Sequence, residues 1–103
     1  MSTTTQTPAP EFTKTAFLGT SRYGNPMPRI DVHAPRGTPH RLVSAELHEL
    51  AAKVERGTPP REGWCVTVQH GSVDETGTVL IELVGGRDGE AERAMELLNR
   101  VVG

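Results

Sequence analysis

Sulfur chemistry is almost missing from this chain. Cys65 is the one cysteine among 103 residues, which excludes an internal disulfide and every multi-cysteine metal motif. Aromatics are nearly as scarce: Phe12, Phe17, Tyr23 and Trp64 make up 4% of the sequence. A core must therefore be built from Val, Leu, Ile and Ala, each buried aliphatic side chain contributing roughly 1.5–3 kcal/mol. No apolar run approaches the ~20 residues that cross a bilayer, and the N-terminus lacks the basic start and apolar stretch of a secretory signal. These absences predict a soluble, cytoplasmic protein that engages no membrane. Excess charge is missing too. The formal net charge of −2 argues against a duplex-DNA coat, which needs many phosphate contacts. Neither the phosphate-loop ending Gly-Lys-Ser/Thr nor the dinucleotide pattern G-x-G-x-x-G occurs, so no cofactor is expected.

What is present falls into regular pieces. Residues 1–11, rich in threonine and proline, hold nothing that can pack and read as a disordered tail; residues 12–103 read as a single domain. FTKTAFLGT at 12–20 suits a strand, and the adjacency of Phe17 and Leu18 breaks its alternation, which favours an edge. Gly24-Asn25-Pro26 supplies turn chemistry within a loop over 21–28. Ile30, Val32 and Ala34 then alternate with Arg29, Asp31 and His33, giving the second strand of a hairpin. After a Pro/Gly loop, Ser44 suits a helix N-cap, and Leu47, Leu50, Ala51 and Val54 recur at helical spacing over about three turns. Gly57, Pro59 and Pro60 stop that helix.

A second hairpin follows. Trp64, Val66 and Val68 alternate with Cys65, Thr67 and Gln69, and a polar joint from Gly71 to Gly77 leads to a strand over 78–84. Asp88 is positioned to cap a last helix, whose stripe is Ala91, Ala94, Met95, Leu98, Val101 and Val102, with Glu90, Glu92, Arg93, Glu96 and Arg100 turned to water. The order ββαββα predicts an α+β two-layer sandwich: a four-stranded, mainly antiparallel sheet with both helices on one face. Its other face should be largely polar, with Leu80 and Val84 as an apolar patch beside Thr67 and Cys65.

Four places could carry chemistry. The first is basic. Residues 1–41 hold five cations against Glu11 and Asp31, so the rest of the chain is net acidic. Arg22, Arg29, Arg36, His40 and Arg41 form a candidate binding set for an anion or a single-stranded nucleic acid, since guanidinium forks suit phosphate. Gly85-Gly86-Arg87-Asp88-Gly89 precedes a helix, but its own carboxylates make it a plain turn and cap. Cys65 and His33 share a predicted sheet face and are the candidate nucleophile and base, with Asp31 to orient the ring. His33, His40, His48 and His70 follow no metal-binding spacing, and no metal site is predicted.

None of these is strong enough to imply catalysis. The sequence therefore predicts a small non-catalytic module that binds another protein or its own copy. Nucleic-acid or anion binding is the alternative, and an enzyme using Cys65 and His33 is a more distant one. Self-association follows from size, because a small lean core leaves a thin stability margin that an extra buried face would widen. Leu80 and Val84 are the predicted interface.

Overall fold

A computed structural model describes residues 11–59, 63–83 and 89–103. The expected tail apart from Glu11, Val84, and the turn at 85–88 with its Asp88 cap lie outside the described residues. Six elements follow in the predicted order: β1 (Thr13–Thr20), β2 (Pro26–His33), α1 (His40–Gly57), β3 (Cys65–His70), β4 (Thr76–Glu82) and α2 (Glu90–Val102). The strands form one antiparallel sheet in the order β1-β2-β4-β3, and both helices pack on one face of it. The protein is an α+β two-layer sandwich.

The connectivity crosses over. Helix α1, which follows the first hairpin, rests chiefly on β3 and β4; α2, which follows the second, rests on β1 and β2. Each ββ hairpin is thus roofed by the other half's helix, and β2 and β4 meet at the centre through pairs such as Ile30↔Val79. Neither half can bury its apolar face alone.

Strand β2 begins earlier than its alternation predicts, at Pro26 rather than Arg29. The hairpin explains how two prolines enter a strand. Ser21 N–H donates to Asn25 O at 2.9 Å. Counting outward with the antiparallel alternation, Thr13, Thr15, Phe17 and Gly19 exchange bonds with β2. Pro26 and Pro28 oppose Thr20 and Leu18, in pairs where β1 asks no N–H of them. Gly24 takes a φ of 82° at the turn, the left-handed region open to glycine.

Helix α1 is 18 residues long and starts after Pro39, with no side-chain cap. Ser44 lies inside it and is not the N-cap. The entry is set instead by Thr38, whose N–H and hydroxyl both donate to Pro35 O, at 3.0 and 2.6 Å. The added turn brings Val43 into the buried stripe with Leu47, Leu50, Ala51 and Val54. On α2, Ala94, Leu97 and Leu98 are buried. The core joins these to Ile30, Val32, Val79 and Ile81, with Val66, Val68, Met95 and Val102 packed at its margin.

Two glycines read as punctuation are close-approach points. Gly77 lies within β4 and is buried; a methyl group there would collide with Leu47. Gly57 ends α1 against Leu97, the contact that brings the helices together. Glu90 corrects the assignment of a solvated face to α2. It is 2% exposed and accepts a hydrogen bond from Trp64 Nε1 at 2.8 Å. A carboxylate suits the positive end of a helix, and its indole partner ties the start of β3 to the start of α2.

Candidate functional site

The register separates the candidate dyad. His33 and Cys65 do share the open sheet face, as their parity predicts. On β4, however, His33 stands opposite Thr76 and Cys65 opposite Glu82. Six residues of strand separate those positions, roughly 20 Å at ~3.3 Å per residue. A thiolate–imidazole pair is therefore not formed. Asp31 does not orient His33 either: its Oδ1 accepts from Arg29 Nε at 3.0 Å and from Thr78 Oγ1 at 2.9 Å.

The arginines are likewise dispersed. Arg22 sits in the β1–β2 turn, whereas Arg36, His40 and Arg41 lie past the opposite end of β2. His40 and Arg41 open α1 rather than occupy a loop. Arg29 is mid-strand on the open face, its Nη2 2.9 Å from Asp31 and its guanidinium 4.8 Å from the Phe17 ring centroid. Its charge is thus matched within the sheet. His40 meets the His70 ring at a centroid distance of 4.7 Å. Among the described residues, no three His, Cys, Asp or Glu side chains group as metal ligands, and no helix is long and apolar enough to cross a membrane.

Leu80 needs a further correction. It lies on the open face as predicted, but it is 2% exposed, flanked in register by Arg29 on one side and Thr67 on the other. A central strand position beside the long Arg29 side chain leaves almost no surface to offer a partner. Val84 lies outside the described residues.

Among the described residues the exposed large apolar side chains are Tyr23, Leu42, Val73 and, adjacent on β1, Phe17 and Leu18. Phe17 is 36% and Leu18 50% exposed, one on each face of the strand. The register leaves the main-chain groups of Lys14, Ala16, Leu18 and Thr20 directed away from β2, and no other described strand pairs with them. Lysine commonly guards such an edge. Here Lys14 is drawn over the helical layer, its Nζ 2.6 Å from Glu46 on α1, so its charge does not stand off the edge. No proline or bulge interrupts the eight residues of the strand.

Beside this edge runs a groove of about 610 Å³ between β1 and α2. Leu18 lines its strand side. Ala91, Met95 and Asn99, each one helical turn apart, line the other, with Glu92, Glu96 and Arg100 along the outer margin. An extended segment added to β1 would hydrogen-bond to the four free positions and lay alternate side chains into this groove. The broken alternation at Phe17-Leu18 was the sequence signal for it: a strand apolar on both sides at one end has a second surface to cover. The α2 wall was less visible, since Met95 reads as core and Glu92, Glu96 and Arg100 as solvated. Comparison of the chain with protein-family models, curated proteins and solved structures found no match.

Proposed function

We propose that the protein is a non-catalytic binding module whose working surface is the free edge of β1 together with the groove under α2. The observation that carries this reading is the coincidence of an unguarded eight-residue edge with exposed Phe17 and Leu18. Main-chain hydrogen bonds supply affinity in strand addition, and pockets for alternate side chains supply selectivity. The groove provides such pockets on one face and the Phe17 ring an apolar contact on the other.

The test is amide-resolved NMR. Titration with an alternating Val-Thr octapeptide, at a concentration where the chain is monomeric, should shift and protect the amides of Lys14, Ala16, Leu18 and Thr20 while leaving those of β3 unchanged. Perturbation confined to β3, or to the open sheet face around Arg29, would move the binding surface elsewhere.

A further inference from the structure

We infer that the physiological occupant of this edge is a second copy of the same chain, joined β1 to β1 about a twofold axis into a continuous eight-stranded sheet. The inference rests on the edge-binding reading above and adds to it the identity of the partner. Two observations carry it.

The first is spacing. Helix α2 rests on β1 and β2, so its axis lies about half a strand spacing inside the edge. Strands in a sheet are ~4.8 Å apart. Pairing β1 with its copy therefore sets the two α2 axes roughly 10 Å apart, the distance at which helices pack. The groove closes from both sides, and Leu18 and Met95 of each copy meet those of the other.

The second is charge. The groove margin of α2 carries Glu92 in its first turn, Glu96 at its middle and Arg100 in its last turn. Glu92 and Glu96 are four residues apart and repel within one helix. A twofold axis sets the two α2 helices antiparallel, which brings Arg100 of each copy toward Glu92 of the other. A surface whose two halves complement each other under a twofold rotation is what an isologous interface requires. A heterologous partner would not need that internal symmetry of charge.

The experiment is sedimentation equilibrium of the full chain across a hundredfold concentration range. The expected result is a species approaching twice the 11.1 kDa chain mass as concentration rises. Leu18→Lys should raise the dissociation constant about 30-fold or more, as loss of a central apolar anchor does; since Leu18 is half exposed in the monomer, circular dichroism should be unchanged. Arg100→Glu should weaken association by about tenfold, and adding Glu92→Arg to it should restore most of the loss. That charge-swap cycle keeps the test decisive even if Leu18→Lys perturbs folding. A mass fixed at 11.1 kDa throughout would overturn the inference. So would a dimer indifferent to both Leu18→Lys and the charge reversal. In either case the octapeptide titration separates the two ideas: peptide binding at β1 leaves the edge reading standing and a second copy excluded from that edge, whereas no binding removes both.

Discussion

The two edges of the sheet occupy equivalent places in the topology and differ in how they are finished. Strand β3 has six residues, and no β3 side chain is among the large exposed apolar groups. Val66 and Val68 pack at the core margin under the 18-residue α1, and the start of the strand is held by the Trp64–Glu90 bond. Strand β1 has eight residues, its covering helix has 13, and Phe17 and Leu18 protrude. An edge alone therefore does not mark an interface. The cover differs: the long α1 lies over β3 and leaves a groove of about 440 Å³ at the start of that strand, beside Trp64 and Val66, and the short α2 leaves one of about 610 Å³ beside Leu18 on β1.

The largest effects should show that the two halves nevertheless stand or fall together. Leu47 under α1 and Leu98 under α2 are both fully buried. Leu47→Ala and Leu98→Ala should each cost about 2–5 kcal/mol, and each should keep a single urea transition, because each hairpin is roofed by the other half's helix. Two separated transitions in either variant, followed by circular dichroism, would break the cooperativity inferred from the crossed helices. Gly77→Ala should cost about 1–3 kcal/mol through collision with Leu47. An unchanged midpoint would show that Leu47 moves aside freely.

A smaller effect sharpens the contrast at β3. Trp64→Phe keeps a ring but removes one donor to a carboxylate that is 2% exposed, so about 1.5–3 kcal/mol should be lost. Glu90→Gln preserves an acceptor oxygen and should cost less than Trp64→Phe. The reverse ranking would mean that the carboxylate charge, rather than the indole bond, fastens this end of the sheet. For the association itself, Gln69→Lys on the exposed side of β3 is the matched control for Leu18→Lys. It should leave the sedimentation profile unchanged, and a loss of dimer there would assign the contact to the wrong edge.

How much of the fold was legible in the sequence depended on how local the cause was. Both hairpins and α2 follow from alternation and helical spacing within one element and appear in the expected order, while the start of β2, the place of Gly77 in β4 and the burial of Glu90 and Leu97 depart from those patterns. The start of α1 departs too, because Pro39 opens the helix without a polar cap and Ser44 offered a more familiar signal one turn later. Gly57 and Gly77 look like loop residues until the side chains above them, Leu97 and Leu47, are in place. The central β2–β4 pairing joins residues nearly fifty positions apart, and no local pattern specifies it. That pairing is what separates His33 from Cys65 and buries Leu80, so neither their distance nor that burial was legible within a single element. The edge character of β1 was legible in Phe17-Leu18, while the α2 wall of its groove needed the tertiary fold.

The smallest predicted effect lies where the halves are clasped at the loop end. Glu75, in the β3–β4 connection, receives Gly37 N–H on Oε1 at 3.0 Å and Ala34 N–H on its backbone oxygen at 2.8 Å. The Gly37 amide, Glu75's own amide and the nearby Arg36 charge hold its carboxyl below the ordinary carboxylate value, in that order, against a small opposing desolvation. A lowered value in the folded state means the folded protein favours the ionised form. The contribution is therefore fully present above the unfolded value of about 4.3 and is lost as pH falls through the lower folded one. The group is at the surface, so solvent screens the effect. Glu75→Gln keeps an oxygen for Gly37 but cannot titrate. Urea midpoints measured from pH 7 down to pH 3 should fall less steeply for the variant, with the two curves drawing together at the acid end. Parallel curves across that range would mean that the clasp acts through its hydrogen-bond geometry alone, and that the link between the β2–α1 loop and the second hairpin carries no charge dependence.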